Sequence, residues 1–197
     1  MQRPISIVIL ANCNADVLER MLPEMLVQQY EPGYEVIVVR ESKKGSVTDL
    51  MEALMLQYSN LRTTFLPAQP QYVTDYEVEI MLGVKAAKND NIIMVGFDFM
   101  PPSDTWLSTV AEAIGDGDTP LRIAMPPYPD GTSFFHRYSH RRKVNKVMRK
   151  WRKTVGLSKS DIVVPKAQRH LFAIAYNKKA YIDDPLLRNL IYVHEDA

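Results

Sequence analysis

Two runs rich in β-branched residues constrain the fold of this chain more than any other feature. They are ISIVIL at 5–10 and EVIVV at 35–39, and such runs are typical of strands buried on both faces, as in a parallel sheet. The segment between them, VLERMLPEMLVQQY at 17–30, carries apolar residues at helical spacing. Pro23 interrupts that spacing and predicts a bend or a second helix start. Together these segments predict a strand–helix–strand unit.

The same alternation of strand-like and helix-like segments continues along the chain. Helical spacing recurs at 47–58, 77–88 and 106–114, and strand-like runs lie at 61–67, 91–95 and 121–127. The alternation predicts an α/β architecture, in which a mostly parallel central sheet carries helices on both faces. After residue 130 the pattern changes, and HLFAIAYNKKAY predicts a strand followed by a turn. At 197 residues the chain most simply forms a single domain, with 1–127 and 128–197 as its two halves.

Short polar segments follow three of the predicted strands. They are ANCNAD at 11–16, RESKKGS at 40–46 and GFDFMPP at 96–102. In sheets of this kind, ligands bind beyond the carboxyl ends of the strands. The sequence therefore predicts a ligand site built from these three segments.

Composition excludes several classes of function. The formal net charge of +1 gives no overall attraction to nucleic acid, so no nucleic-acid partner is expected. The single cysteine, Cys13, excludes an internal disulfide framework and fits a reducing compartment. No apolar run approaches the roughly 18 residues of a membrane span, and the N-terminus lacks the pattern of a signal peptide. These features predict a cytoplasmic protein.

An ordered series of segments resembles the family 2 glycosyltransferases, which are inverting enzymes with the GT-A nucleotide-sugar fold. The series is SIVILANCNADVLERMLPEMLVQQYEPGYEVIVV, NLRTTFLP, EIMLGVKAAKNDNIIMV and DFMPPSDTWL, within residues 5–110. From 111 to 197 the resemblance rests on AIAYNKKAY and HEDA. It implies a GT-A-like three-layer sandwich with a mostly parallel central sheet. It also implies a hexosyltransferase of polysaccharide biosynthesis, which moves a sugar from a nucleoside-diphosphate donor to a saccharide or lipid-linked acceptor with inversion.

The resemblance places donor-binding residues in the three polar segments. Asp98 matches the second acid of the family's Asp-x-Asp motif, which implies that it holds a divalent metal, Mn²⁺ or Mg²⁺, and the donor diphosphate. The matches also imply that Glu41 contacts the nucleoside and that Asn12 and Asn14 lie near the nucleotide. In the alternative interpretation, Asp98 caps its own turn and Glu41 is a loop acid paired with neighbouring basic residues.

Two acids in HEDA match the family's catalytic acid pair. The resemblance implies that Asp196 removes the proton from the acceptor hydroxyl and that Glu195 stands beside it. The alternative is that both are solvated acids near a terminus.

Several positions depart from the family pattern. Gly96 stands where the first acid of Asp-x-Asp is expected, and Arg40 replaces one of two acids that usually follow the second strand. Cys13 and Asn14 replace an Asn–Glu pair, and the helix near residue 76 opens with acidic rather than basic residues. These departures favour a second hypothesis, a catalytically inactive homologue that binds a nucleotide, a glycan or a protein partner.

Residues 136–153 contain no acid and form a basic, amphipathic pattern. Val144, Val147, Met148 and Trp151 fall at helical spacing among lysines and arginines. One interpretation is an ordinary helix with its apolar stripe on the core, and the other is peripheral contact with an anionic membrane surface. Membrane contact would suit a transferase whose lipid-linked acceptor lies at the inner face of the membrane. A third hypothesis is that the protein is a membrane-surface adaptor that uses residues 136–153.

Overall fold

The computed structural model describes residues 3–10, 15–40, 45–66, 75–95, 99–114, 121–124, 142, 162–163 and 173–183. The strands are β1 (Ile5–Leu10), β2 (Tyr34–Arg40), β3 (Leu61–Phe65), β4 (Asn91–Val95), β5 (Leu121–Ala124), β6 (Ile162–Val163) and β7 (Ala173–Asn177). The helices are α1 (Ala15–Leu26), α2 (Ser46–Gln57), α3 (Asp75–Ala86), α4 (Trp106–Ile114) and α5 (Lys178–Asp183).

These strands lie in one sheet, in the order β3-β2-β1-β4-β7-β5-β6. β1 pairs in parallel with both β2 and β4, and β2 pairs in parallel with β3. β7 runs antiparallel between β4 and β5, and β6 is parallel to β5. Parallel neighbours need long crossover connections, which α1, α2 and α3 provide. The mostly parallel α/β sheet that the sequence predicts is confirmed.

Both faces of this sheet are covered, which explains the ISIVIL run. Ile5, Ile7 and Ile9 of β1 belong to a core cluster with residues of α1, α2 and α4. Val8 points to the opposite face, where Gly83 of α3 approaches it closely. Because successive side chains of a strand point to opposite faces, a strand covered on both sides needs apolar residues at nearly every position. Helices on both faces are therefore confirmed.

Helix α1 is continuous through Pro23, where the sequence predicts a bend or a second helix start. The proline removes only the hydrogen bond to the carbonyl of Glu19, and that residue is exposed, so water can donate to the freed carbonyl. Leu22 and Met25, on either side of the proline, are fully buried. Their burial holds the last turn of α1 in place.

Two short elements in the second half differ from the sequence prediction. The predicted turn after β7 is helix α5, which begins at Lys178. Strand β6 was not predicted, and its two residues pair with Leu121 and Arg122 of β5. A two-residue strand is too short for a hydrophobic period to appear in the sequence, so β6 is recognised only by its pairing with the distant strand β5.

Candidate functional site

The order of the strands creates a topological switch beside β1. The chain passes from β1 through α1 to β2, and from β2 through α2 to β3, on one side of β1. It then returns through α3, on the opposite face of the sheet, to β4 on the other side of β1. In open α/β sheets, ligands bind at the carboxyl edge where the strand order reverses in this way.

The carboxyl ends of the three strands at this switch are level. Ile9 of β1 is the register partner of Val38 in β2 and of Val95 in β4. Neighbouring strands are about 4.8 Å apart, so the ends of β2 and β4 lie only about 10 Å from each other. The polar segments that follow the three strands therefore start from one short stretch of the sheet edge.

The predicted donor-site residues follow these strand ends but lie outside the described residues. They are Asn12, Asn14, Glu41 and Asp98. The predicted acid pair, Glu195 and Asp196, also lies outside the described part of the chain, as does the basic stretch 136–153 apart from the exposed Arg142. The structure thus fixes where the three polar segments leave the sheet, and the roles of these residues stay predictions.

Gln28, just after α1, fixes the segment that follows β4. Its side-chain Nε2 donates to the carbonyl oxygens of Glu24 and Ser103, both at 2.9 Å. Its Oε1 accepts the backbone N–H of Leu107 in the first turn of α4, also at 2.9 Å. The side chain is buried, so these three bonds satisfy its amide inside the protein.

Phe99 provides a second attachment for the same segment. It packs against the core cluster, and its ring lies 4.9 Å from the ring of the buried Trp106, measured between centroids. Phe99 directly follows Asp98 in the sequence, so the chain is held in place immediately beyond the predicted metal ligand. No sequence pattern points to Gln28, because its partners in the segment after β4 lie 75 and 79 residues away in the chain.

We expect Gln28→Ala to lower the free energy of unfolding by about 2 kcal/mol, because it leaves the N–H of the buried Leu107 without this acceptor and removes two further hydrogen bonds. Hydrogen exchange of the Leu107 amide should accelerate in the same variant. Gln29→Ala is the matched control, since the side chain of Gln29 bonds Asp104 at the exposed surface. An equal loss of stability in both variants would show that burial of the Gln28 amide has no special effect.

Arg40 is the last residue of β2 and is buried at the candidate edge. Its Nε donates to Thr63 Oγ1 at 2.9 Å, and the guanidinium carbon lies 4.4 Å from the centre of the Phe65 ring. Burial lowers the pKa of Arg40 from its ordinary value, and the nearby charge of Glu52 opposes that change. The sequence showed a charged residue ending a strand buried on both faces, but it did not predict these contacts.

The described part of the chain shows neither a metal-binding cluster nor a membrane-spanning helix. No three or more side chains of His, Cys, Asp or Glu gather there in a way that could hold a metal ion. Within the same residues, no helix combines the length and the apolar character that crossing a bilayer requires.

Solved structures similar to this chain include two that share its fold. The mannosyltransferase PcManGT from Pyrobaculum calidifontis, in complex with GDP-Man and Mn²⁺, has a TM-score of 0.57 at 13% identity, over 91% of this chain and 46% of that one. S. aureus TarS 1–349 has a TM-score of 0.51 at 15% identity, over 66% of this chain and 37% of that one. No protein-family model matches the chain, and no curated protein matches it in sequence.

The chain spans less than half the length of either of these solved structures. At such low identities the similarity shows the fold alone. The chain has the α/β, GT-A-like fold that its sequence resemblance implied.

Proposed function

We propose that the chain is the nucleotide-sugar-binding part of a family 2-type glycosyltransferase. It moves a hexosyl group from a nucleoside diphosphate to a saccharide or lipid-linked acceptor, with inversion at the anomeric carbon. The observation that carries the proposal is the topological switch beside β1. The three strands there end at the same level, so the three polar segments that follow them begin along one short stretch of the sheet edge. The similarity to a mannosyltransferase solved with GDP-Man and Mn²⁺ supports a nucleotide sugar as the donor.

In this proposal the polar segments hold the donor. Glu41 accepts hydrogen bonds from the nucleoside, and Asn12 and Asn14 contact the nucleotide beside it. Asp98, with the chain held at Phe99 directly beyond it, faces the diphosphate.

Asp196 acts on the acceptor, with Glu195 beside it. The acceptor oxygen bonds to the anomeric carbon while the bond from that carbon to the donor phosphate oxygen breaks. Asp196 takes the proton of the acceptor hydroxyl, and the diphosphate leaves with the electron pair. A single displacement of this kind inverts the configuration of the sugar.

A divalent cation fits the donor chemistry of Asp98. Mn²⁺ and Mg²⁺ prefer oxygen ligands, and Mg²⁺ is commonly held by one or two carboxylates together with substrate phosphates and water. Asp98 supplies one such carboxylate in the segment after β4. When bound, the cation would neutralise negative charge on the leaving diphosphate.

The proposed location is the cytoplasm, at the inner face of the membrane. The single Cys13 fits a reducing compartment. The basic residues of 136–153 would attract anionic headgroups, and this contact would bring a lipid-linked acceptor to the edge of the sheet.

A second candidate function is a catalytically inactive homologue that binds a nucleotide, a glycan or a protein partner. Two positions favour it, because Gly96 and Arg40 stand where the family pattern has acids. Binding without turnover would be its signature.

Calorimetric titration of UDP and GDP, with and without Mn²⁺, tests the donor site. We expect metal-dependent binding of at least one nucleotide by the wild type. Asp98→Ala should weaken it about 10- to 100-fold, because a contact to a charged group contributes roughly 1.5–3 kcal/mol. Glu112→Gln is the control, since it removes one exposed charge near the carboxyl end of α4 and is not among the predicted site residues.

Three outcomes separate the hypotheses. Failure of both nucleotides to bind under any metal condition would overturn the donor site. Metal-dependent binding that Asp98→Ala leaves unchanged would overturn the role of Asp98. If the wild type hydrolyses the donor, Asp196→Asn should abolish hydrolysis and retain nucleotide affinity. If the wild type binds nucleotide without any turnover, the result would support the inactive homologue.

A further inference from the structure

Arg40 presents a buried charge that no described residue neutralises by an ion pair. The residue is only 4% exposed, at the carboxyl end of β2. Burial of a charged group is costly unless the group is paired and fully hydrogen-bonded. Among the described residues, no carboxylate forms a salt bridge with the guanidinium, although Glu52 of α2 is close enough to influence it electrostatically.

The hydrogen-bonding capacity of Arg40 is incompletely used. Its Nε bonds Thr63, and Phe65 covers one face of the guanidinium. Nη1 is enclosed and has no hydrogen-bond partner in the described part of the protein. A guanidinium that is bonded through Nε and packed against a ring is already oriented, so its unused Nη1 donor points in a fixed direction.

A second buried donor lies on the helix that faces Arg40. Thr48, in the first turn of α2, is 8% exposed, and its hydroxyl also has no partner among the described residues. Thr48 precedes Glu52 by four residues, so both lie on the same face of α2. Arg40 alternates along β2 with Val36 and Val38, which lie in the core cluster with Met51 and Leu54 of α2, so its side chain points to the sheet face that α2 covers.

The start of α2 adds further donors at the same edge. The helix begins after Gly45, which has φ 106° and provides no side-chain cap. The first N–H groups of a helix lack partners within the helix, and the helix dipole favours negative charge beside them. Two buried unpartnered donors, one of them positively charged, and a helix start without a side-chain cap thus lie at the same end of the sheet, where β2 ends and α2 begins.

We infer that Arg40 binds a phosphoryl group, with Nη1 donating to a phosphoryl oxygen and the Thr48 hydroxyl as a second donor. The inference rests on the proposed function, in which that phosphoryl group belongs to the donor diphosphate. Arginine suits this role because its planar guanidinium donates paired hydrogen bonds to phosphate oxygens. Since Nη1 is enclosed, a ligand must displace what covers it, and the association rate should lie below the diffusion-controlled range.

The inference is tested by calorimetric titration of inorganic pyrophosphate, UDP, GDP, uridine and guanosine, with and without Mn²⁺, against the wild type and three variants. Arg40→Met should weaken binding of pyrophosphate and of the nucleoside diphosphates at least tenfold and leave weak nucleoside binding unchanged. Arg40→Lys should be intermediate, because it keeps the charge but not the planar group. Glu52→Gln should strengthen pyrophosphate binding, since it removes a nearby negative charge.

Thermal unfolding separates a binding role from a structural one. Removal of a buried charge that lacks an ion-pair partner should leave the melting temperature of Arg40→Met equal to or above that of the wild type. A binding loss that accompanies a large fall in melting temperature would indicate a structural role and overturn the inference. If Arg40→Met does not fold, Arg40→Lys, which keeps the charge and most of the packing, carries the test: it must fold and still weaken pyrophosphate binding, and otherwise the inference is overturned.

The ligands distinguish the two proposals. Nucleoside diphosphates that bind the wild type and Arg40→Met equally would overturn the role of Arg40 and leave the proposed function standing. Pyrophosphate binding that requires Arg40, with no gain in affinity from any nucleoside, would support the phosphoryl site and overturn a nucleotide-sugar donor. Absence of binding by all five ligands would overturn both proposals.

Discussion

Gly83→Val is expected to lower the free energy of unfolding by about 3 kcal/mol, the upper part of the range for overpacked cores. Gly83 lies in α3, where almost any other residue is the better helix former by about 0.3–1 kcal/mol. A Cβ atom at this position would lie 2.3 Å from Val8 Cγ1 and 3.1 Å from Val39 Cγ2. Both neighbours are fully buried in rigid strands, so α3 would have to move away from the sheet. Urea denaturation measures the loss.

A double-mutant cycle isolates the contact that causes this effect. Gly83→Ala alone should destabilise the protein, although alanine has a higher helix propensity than glycine. In the Val8→Ala background, which removes the atom at 2.3 Å, the same change should cost about 1–2 kcal/mol less. Lys85→Ala is the control for propensity, because Lys85 is exposed on the same helix. A stabilising Gly83→Ala would contradict the close approach of α3 to β1.

Glu35→Ala is expected to lower the free energy of unfolding by about 3 kcal/mol, because it removes the acceptor of two donors, the buried Ser6 hydroxyl and the Lys88 backbone N–H. Glu35 lies in β2, and its Oε1 accepts the Ser6 hydroxyl at 2.7 Å and the Lys88 backbone N–H at 2.6 Å. Its Oε2 pairs with Arg62 Nη1 at 2.8 Å, and the same nitrogen donates to the carbonyl of Ala86 at 3.0 Å. One carboxylate therefore joins three strands to the end of α3.

The pH dependence of stability gives Glu35 a second signature. Burial raises the pKa of its carboxyl. The hydrogen bonds from Arg62, from the Lys88 amide and from Ser6, together with the charge of Arg62, lower the pKa by more than burial raises it, so the pKa lies below the ordinary 4.5. Because the pKa is lower in the folded protein, the unfolded chain binds the proton more readily. The stabilisation is complete above pH 4.5 and is lost as the pH falls through the folded-state pKa.

Two substitutions control for charge and position. Glu35→Gln keeps an oxygen that can accept from Ser6 and Lys88 but loses the ion pair with Arg62, so it should cost less than Glu35→Ala and remove this part of the acid sensitivity. Glu19→Gln, on the exposed side of α1, should change neither stability nor its pH dependence appreciably. Equal acid sensitivity of the wild type and Glu35→Gln would show that other carboxyls cause the acid transition.

Much of the fold between residues 5 and 114 was predictable because its signals are local. Strand β4 and helix α4 occupy the predicted ranges, 91–95 and 106–114. Burial on both faces makes a strand apolar throughout, and burial on one face makes a helix periodic, so each run of residues reveals how it is covered. The donor-site residues Asn12, Asn14, Glu41 and Asp98 came from family resemblance, and they stay predictions.

The sequence by itself determined that strands and helices alternate and that the sheet is mostly parallel, because these properties follow from periods within single segments. The tertiary structure alone decided that Gln28 holds the segment after β4, that Arg40 lies beneath Phe65, and that α3 approaches the sheet at Gly83. Each of these contacts joins residues far apart in the chain. Such pairs leave no periodic trace in either segment, so only the packing of strands and helices reveals them.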